Sequence, residues 1–441
     1  MNNKQLSWAV IAITLLINIT IIMFIWDIQF WPTDTKAYYF DAAVRLKDLT
    51  FISEMHESFD QPRVRWLHGK EFFIYLASLL QRIMCDETTL RPFILVCSAA
   101  VGVSSVLVFE ITRRIFNDTI GLLCYFLFTT SFWPYLYILF AKHQPLGLMF
   151  FLISVLCFLC AHQTRVGWVL KILSGAALCA ALFSSSVSAL YVPYVFGLLV
   201  WHYFLRSDDC VERKIQRDVQ AISFDCGLLT VGGVVVLIWL TLPHIWHNII
   251  SFWEYVEVSV GYNHFYYNQP NLQQWIPGNI ATSHGGWLWI IKYFFLIMPV
   301  LFPVFCLCLL LLFVDALRTA QTDQTPKVYV LAMLMVLLCL SSPILANVKK
   351  VAQYGANYFT SLVGIILLVG YTAYRWEHHL SSLRASARRG VYGLVIFLAV
   401  LPRLPQTFIR RAWRPHLYPG KFRNWGLKSF TPIPNIRTNC I

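Results

Sequence analysis

The sequence predicts an all-α integral membrane fold of about eleven spanning helices, on three observations. Of the 441 residues 58% are hydrophobic and 13% charged, a balance that would leave a water-soluble domain of this size with an apolar surface. Apolar stretches of roughly 17 to 25 residues, the length that crosses a bilayer core as a helix, recur along the chain. Aromatic residues make up 16%, and many of them stand at the ends of those stretches, where an amphipathic ring suits the headgroup layer.

The stretches run in order from Leu6 to Ile28, Phe93 to Ile111, Ile120 to Phe140, Leu146 to Ala161, Trp168 to Phe183 and Ala189 to Leu205. Cys226 to Ile245, Trp287 to Val314, Val328 to Leu345, Tyr358 to Tyr374 and Val391 to Leu404 follow. None alternates strictly, so helices that satisfy their own backbone fit better than barrel strands. The first is too long for a signal-peptide core and has no small-residue cleavage site, which makes it a retained helix. The last is short and contains Pro402.

Sidedness follows from the basic residues. With the N-terminus cytoplasmic, the inside loops hold Arg113, Arg114, Arg165, Arg206, Arg213, Lys214, Arg217, Arg318, Lys327, Arg375, Arg384, Arg388 and Arg389, whereas the short outside loops hold Lys142, Lys349 and Lys350. This is the asymmetry of the positive-inside rule. It divides the chain into a polytopic unit over residues 1–405, with outer loops at 29–92 and 246–286, and a basic tail over 406–441. The formal charge of +13 is scattered through these loops, which points to anionic lipid headgroups and away from nucleic acid.

Most cysteines fall inside apolar stretches, where they act as small hydrophobes, and neither a disulfide framework nor a zinc spacing stands out. His68, His143 and His284 all fall outside, but no pair has the spacing of metal ligands on a helix face, so no metal is expected.

Charge concentrates in the first outer loop. Asp34 to Leu49 reads as a helix lying in the interface with Asp34 near its start, and Phe72 to Met84, too short to span, reads as a second. The run Asp34-Thr-Lys-Ala-Tyr38-Tyr-Phe-Asp41-Ala42 resembles the first-loop signature of the GT-C membrane glycosyltransferases, in particular their protein mannosyltransferase and aminoarabinose transferase branch, the PMT family. There an Asp is followed four residues later by Tyr and eight later by Ala. His68-Gly-Lys70-Glu-Phe-Phe-Ile-Tyr75 stands where that family has a Lys or His, two prolines and an aromatic run. Arg91-Pro92 opens the next span, Lys142-His143-Gln144-Pro145 falls where the third span ends in a basic residue and an acid, and Asn347 to Tyr358 precedes a late span. Two departures are plain: the prolines after the Lys are absent, and Gln144 replaces the usual acid, which bears on any two-carboxylate mechanism.

The resemblance implies a GT-C-like fold and an inverting transfer of a hexosyl or pentosyl group from a polyprenyl-phosphate donor on the extracytoplasmic face. The acceptor would be a glycan, a lipid or a protein, and no cofactor is needed. A carboxylate at the membrane surface supplies the base, and Asp34 is the candidate. Lys70, Lys142, Lys349 and Lys350 are candidates to hold the donor phosphate as its negative charge grows. Tyr38, Asp41, His68, His143, Gln144 and Tyr354 are candidates for substrate contact. Each has a plainer reading: Asp34 suits a helix start by charge and dipole alone, Asp41 suits a solvated loop, and the lysines suit lipid headgroups.

A secondary transporter is the main alternative, since its helix count would be similar. Ion-coupled transport marks its pathway with ionisable groups at the midplane, and Glu110, Lys171, Asp225 and Lys292 all stand near the ends of stretches. A lipid-linked glycan polymerase or ligase is the other alternative, one that more often carries its long loop late in the chain. With no retention signal ending the chain, a bacterial inner membrane is the expected location.

Overall fold

The computed structural model describes residues 3–26, 43–44, 70–86, 89–139, 141–161, 165–185, 188, 191–200, 212–241, 282–283, 291, 293–295, 297–319, 333–341, 353–354 and 359–381. The helices are α1 (Asn3–Ile25), α2 (Glu71–Met84), α3 (Arg91–Ile115), α4 (Asp118–Thr130), α5 (Phe132–Leu139), α6 (Gln144–Ala161), α7 (Gly167–Ser184), α8 (Val192–Val200), α9 (Glu212–Thr241), α10 (Leu301–Thr319) and α11 (Thr360–Ser381). A two-residue antiparallel ladder joins β1 (Thr282–Ser283) to β2 (Gln353–Tyr354), with Thr282 opposite Tyr354.

Five of these helices are long and apolar enough to cross a bilayer, and six if α4 and α5, bent by 42°, form one broken span. The protein is thus multi-pass. The expected stretches at 6–28, 93–111, 146–161, 168–183 and 226–245 correspond to α1, α3, α6, α7 and α9, and 120–140 to the bent pair. The expectation of eleven extends over residues outside the described set, which include 391–404 and the basic tail.

Local sequence sets the boundaries. Asn117 caps α4, its side chain accepting from the Ile120 amide at 2.9 Å, and Pro92 in the first turn of α3 sits where its missing N–H costs nothing. The C-termini of α2 and α5 close on residues in the left-handed region, Cys85 at φ 51° and Ala141 at φ 47°. At the second, the Ala141 amide donates to the Ile138 carbonyl and the Lys142 amide to the Tyr137 carbonyl, each at 3.0 Å. This is the double bond of a Schellman turn with alanine where glycine is usual.

The core is built around α3, which packs against α1, α2, α4, α5, α6 and α11. Its contacts with α1 establish an antiparallel pair. Ser7 Oγ donates to Glu110 at 2.8 Å, Ser98 Oγ donates to Asn18 at 3.2 Å, and the Arg91 guanidinium lies 4.9 Å over the Trp26 ring. The outward faces of α1 and α9 expose Leu16, Phe24, Val235 and Trp239, side chains that acyl chains solvate well.

Helices α7 and α9 run parallel in close contact. A Cβ on Gly175 would collide with the Leu229 carbonyl, and one on Gly232 with that of Ile172, so small residues let the backbones approach. In the same interface Lys171 pairs with Asp225, whose carboxylate is 1% exposed. The apolar stretch begins at Cys226, but the helix continues back through Val219 within the span, which carries Asp225 inside the span instead of leaving it at the end. Ser154 and Ser174 hydroxyls, 2.9 Å apart, tie α6 to α7.

Asp225→Ala is expected to destabilise the fold by about 3–5 kcal/mol by stranding a buried ammonium, whereas Lys171→Met combined with Asp225→Leu restores most of the loss. Thermal melting of the three purified proteins in one detergent checks this; equal melting points for the single and double variants would remove the pair from the account.

Candidate active site at the head of the bundle

Helix α2 is where sequence analysis placed a short interfacial helix, and its contacts locate one end of the bundle. Phe72 packs edge-on against Phe150 of α6, with ring centroids 5.2 Å apart, and lies 5.9 Å from Trp239 of α9. Phe73 lies 5.5 Å from Phe93 of α3 and 6.2 Å from the His143 ring. The first turns of α3 and α6 and the last turn of α9 therefore meet beneath α2. The sequence assigns all of them to the same side of the membrane.

Four of the expected site residues converge here. Lys70 is the N-cap of α2, and Lys142, His143 and Gln144 form the connection from α5 into α6. All are buried: Lys70 is 7% exposed, Lys142 1%, His143 6% and Gln144 7%. The lysines are thus enclosed, where the plainer reading of the sequence set them against lipid headgroups. The backbone explains how: the left-handed Ala141 turns the chain inward, and the Lys142 carbonyl accepts from Cys97 Sγ at 3.0 Å. That turn costs roughly 1 kcal/mol in a non-glycine residue.

The His143 imidazole is held well below its ordinary 6.5, first by burial and then by the ammonium groups of Lys70 and Lys142. It is neutral at pH 7, so the two lysines supply the positive charge and the imidazole adds a hydrogen-bonding group without adding a third cation. Glu71, one residue after Lys70, is 3% exposed and brings a carboxylate to the same helix start. Sequence analysis gave it no role. The signal was present, since an acid following a lysine at the head of an amphipathic helix suits the helix dipole.

Alongside lies an aromatic cluster. Trp133 Nε1 donates to the Tyr137 hydroxyl at 2.9 Å, and Phe359 lies 4.8 Å from the Tyr137 ring and 5.7 Å from that of Trp133. The backbone of Tyr354 pairs with Thr282, which joins the segment before α11 to the second expected outer loop. Asp34, Tyr38, Asp41, His68, Lys349 and Lys350 lie outside the described residues. Among the described residues no group of three or more His, Cys, Asp or Glu is placed to hold a metal.

Residues 72–247, from α2 through the end of α9, match the family model described as dolichyl-phosphate-mannose-protein mannosyltransferase. The matched stretch is less than half of the chain. The match contains Lys142, His143 and Gln144, and starts after Asp34 and Lys70.

The fold is similar to that of the Archaeoglobus fulgidus oligosaccharyltransferase in its apo form, at a TM-score of 0.51 and 13% identity over 90% of this chain and 55% of that one. It is likewise similar to the archaeal oligosaccharyltransferase AglB of Archaeoglobus fulgidus in complex with an inhibitory peptide and a dolichol-phosphate, at 0.52 and 11% identity over 90% of this chain and 54% of that one. The chain spans about half the length of these structures. No curated protein sequence is significantly similar to it.

Because the folded imidazole binds its proton less tightly than the unfolded one, stability from this group is complete above about pH 7. It is lost as pH falls below the unfolded value, by about 1.4 kcal/mol per pH unit until the folded value is reached. Melting temperatures measured between about pH 8 and pH 5.5 should fall more steeply for the wild type than for His143→Gln; identical slopes would contradict a neutral buried His143.

Proposed function

We propose that the chain transfers a sugar from a polyprenyl-phosphate donor to an acceptor on the extracytoplasmic face, with inversion at the anomeric carbon. The observation that carries this reading is the burial of Lys70, Lys142 and a neutral His143 together at one end of a membrane bundle. A lipid-linked phosphate must be read there, at the membrane surface. The family match over residues 72–247 and the dolichol-phosphate in the similar archaeal structure support the donor class.

In the reaction an acceptor oxygen forms a bond to the anomeric carbon as the bond from that carbon to the phosphate oxygen breaks. The bonding electron pair leaves with the phosphate, which passes from a singly charged diester to a lipid monoester. Lys70 and Lys142 neutralise the charge that develops, and fixed cations inside protein do so better than solvated ones. The acceptor proton goes to a carboxylate, the role we assign to Asp34. To Lys349 and Lys350 we assign a part in holding the donor phosphate, and to Tyr38, Asp41, His68 and Tyr354 contact with the substrates.

Membranes containing the wild type should transfer radiolabelled sugar from polyprenyl-phosphate donors. Lys142→Gln should lower turnover roughly 100-fold, the loss typical of removing one transition-state donor, and Asp34→Asn at matched expression should abolish transfer. Full activity in Asp34→Asn would remove that residue as base and leave the class intact, whereas no transfer across a broad donor panel would sink the reading.

A further inference from the structure

Beside the lysines, the first turn of α6 meets the turn that follows α7 in a buried tract that holds three neutral polar side chains. Gln144, Ser185 and Ser188 are 7%, 2% and 2% exposed. Gly147 lies on the same face of α6 as Gln144, one turn on. A Cβ there would press on Ser185 Cβ at 2.9 Å and overlap Ser188 Oγ, so the serine turn closes directly over the head of α6. The turn is fixed by the Ser185 amide donating to the Ala181 carbonyl at 3.0 Å and the Ser188 amide donating to the Ser185 carbonyl at 2.8 Å. Nearby, Tyr191 stacks on Phe151, with centroids 4.0 Å apart and planes 7° from parallel.

Despite this burial, neither Gln144 Oε1 nor Ser185 Oγ has a hydrogen-bond partner among the described residues. Buried polar atoms in folded proteins are nearly all satisfied, and an exception calls for a ligand or a water that completes it. The chemistry of the two neighbouring regions differs. The ammonium groups of Lys70 and Lys142 act on His143, while the groups nearest Gly147 are Ser188, Ser185 and the Ala181 carbonyl. An anion followed by a neutral polyol is the layout of a sugar phosphate.

We propose that Ser185, Gln144 and Ser188 form a neutral subsite that takes hydroxyl groups of the transferred sugar, next to the lysines that take its phosphate. This rests on the donor reading above. A site that hydrogen-bonds a hydroxyl discriminates against ligands lacking it, because its own buried groups are then left unsatisfied.

The test is binding to the full-length protein in nanodiscs, with two probes of equal charge: a polyprenyl-phosphate hexose and the same lipid phosphate esterified with ethyl in place of the sugar. The wild type should bind the hexose probe about tenfold or more tighter, the equivalent of one or two hydrogen bonds. In Ser185→Ala, which removes a single oxygen atom, and in Gln144→Met, that advantage should shrink towards none while binding of the ethyl ester persists, which also reports folding. Equal losses for both probes would mark a structural or water-filled tract and overturn the inference, as would an unchanged advantage. Wild type that binds both probes equally well would overturn the inference alone; wild type that binds neither would overturn the donor reading with it.

Discussion

Everything described at the head of the bundle depends on the enclosure of α3. A helix inside a bilayer satisfies its backbone within itself, so what remains for its neighbours is to fill the space around its side chains. Six of the described helices do so here, and the order in which they meet α3 decides which loops converge. Because α1 runs antiparallel to α3 while α6 starts beside the start of α3, the N-cap of α2 and the turn before α6 arrive at one place. Lys70 and Lys142, 72 residues apart (142 − 70), become neighbours of one histidine for that reason.

Enclosure also gives the lysines their chemistry. An ammonium in water gains little from a nearby phosphate, since the solvent screens the pair, whereas one on a side chain as enclosed as Lys142 or Lys70 interacts through a medium of lower polarity. The same surroundings keep His143 neutral. The head of the bundle therefore separates charge from neutral hydrogen bonding over a few residues of sequence, from Lys142 through His143 to Gln144.

Much of this was legible in the chain. The spans α1, α3, α6, α7 and α9 announce themselves as apolar stretches because length and hydropathy are local properties. Lys142-His143-Gln144 stood out because it interrupts apolar sequence at a short turn. What the sequence hid was non-local. Lys142 reads as an outer-loop lysine until the left-handed Ala141 is seen to turn it inward. Asp225 reads as a terminal charge until α9 is seen to extend back to Glu212 and to meet Lys171. Ser185 and Ser188 carry no signal at all, being two serines in a short connection, and only the close approach at Gly147 brings them to the head of α6.

The pairing of Lys171 with Asp225 bears on how the chain is made. The partners lie 54 residues apart, with α8 between them. While the ribosome is still synthesising the intervening segment, α7 carries an ammonium with no carboxylate to meet it, and hydrocarbon is a poor place for such a helix. The two helices therefore enter the lipid at lower cost as a neutral pair than either does alone.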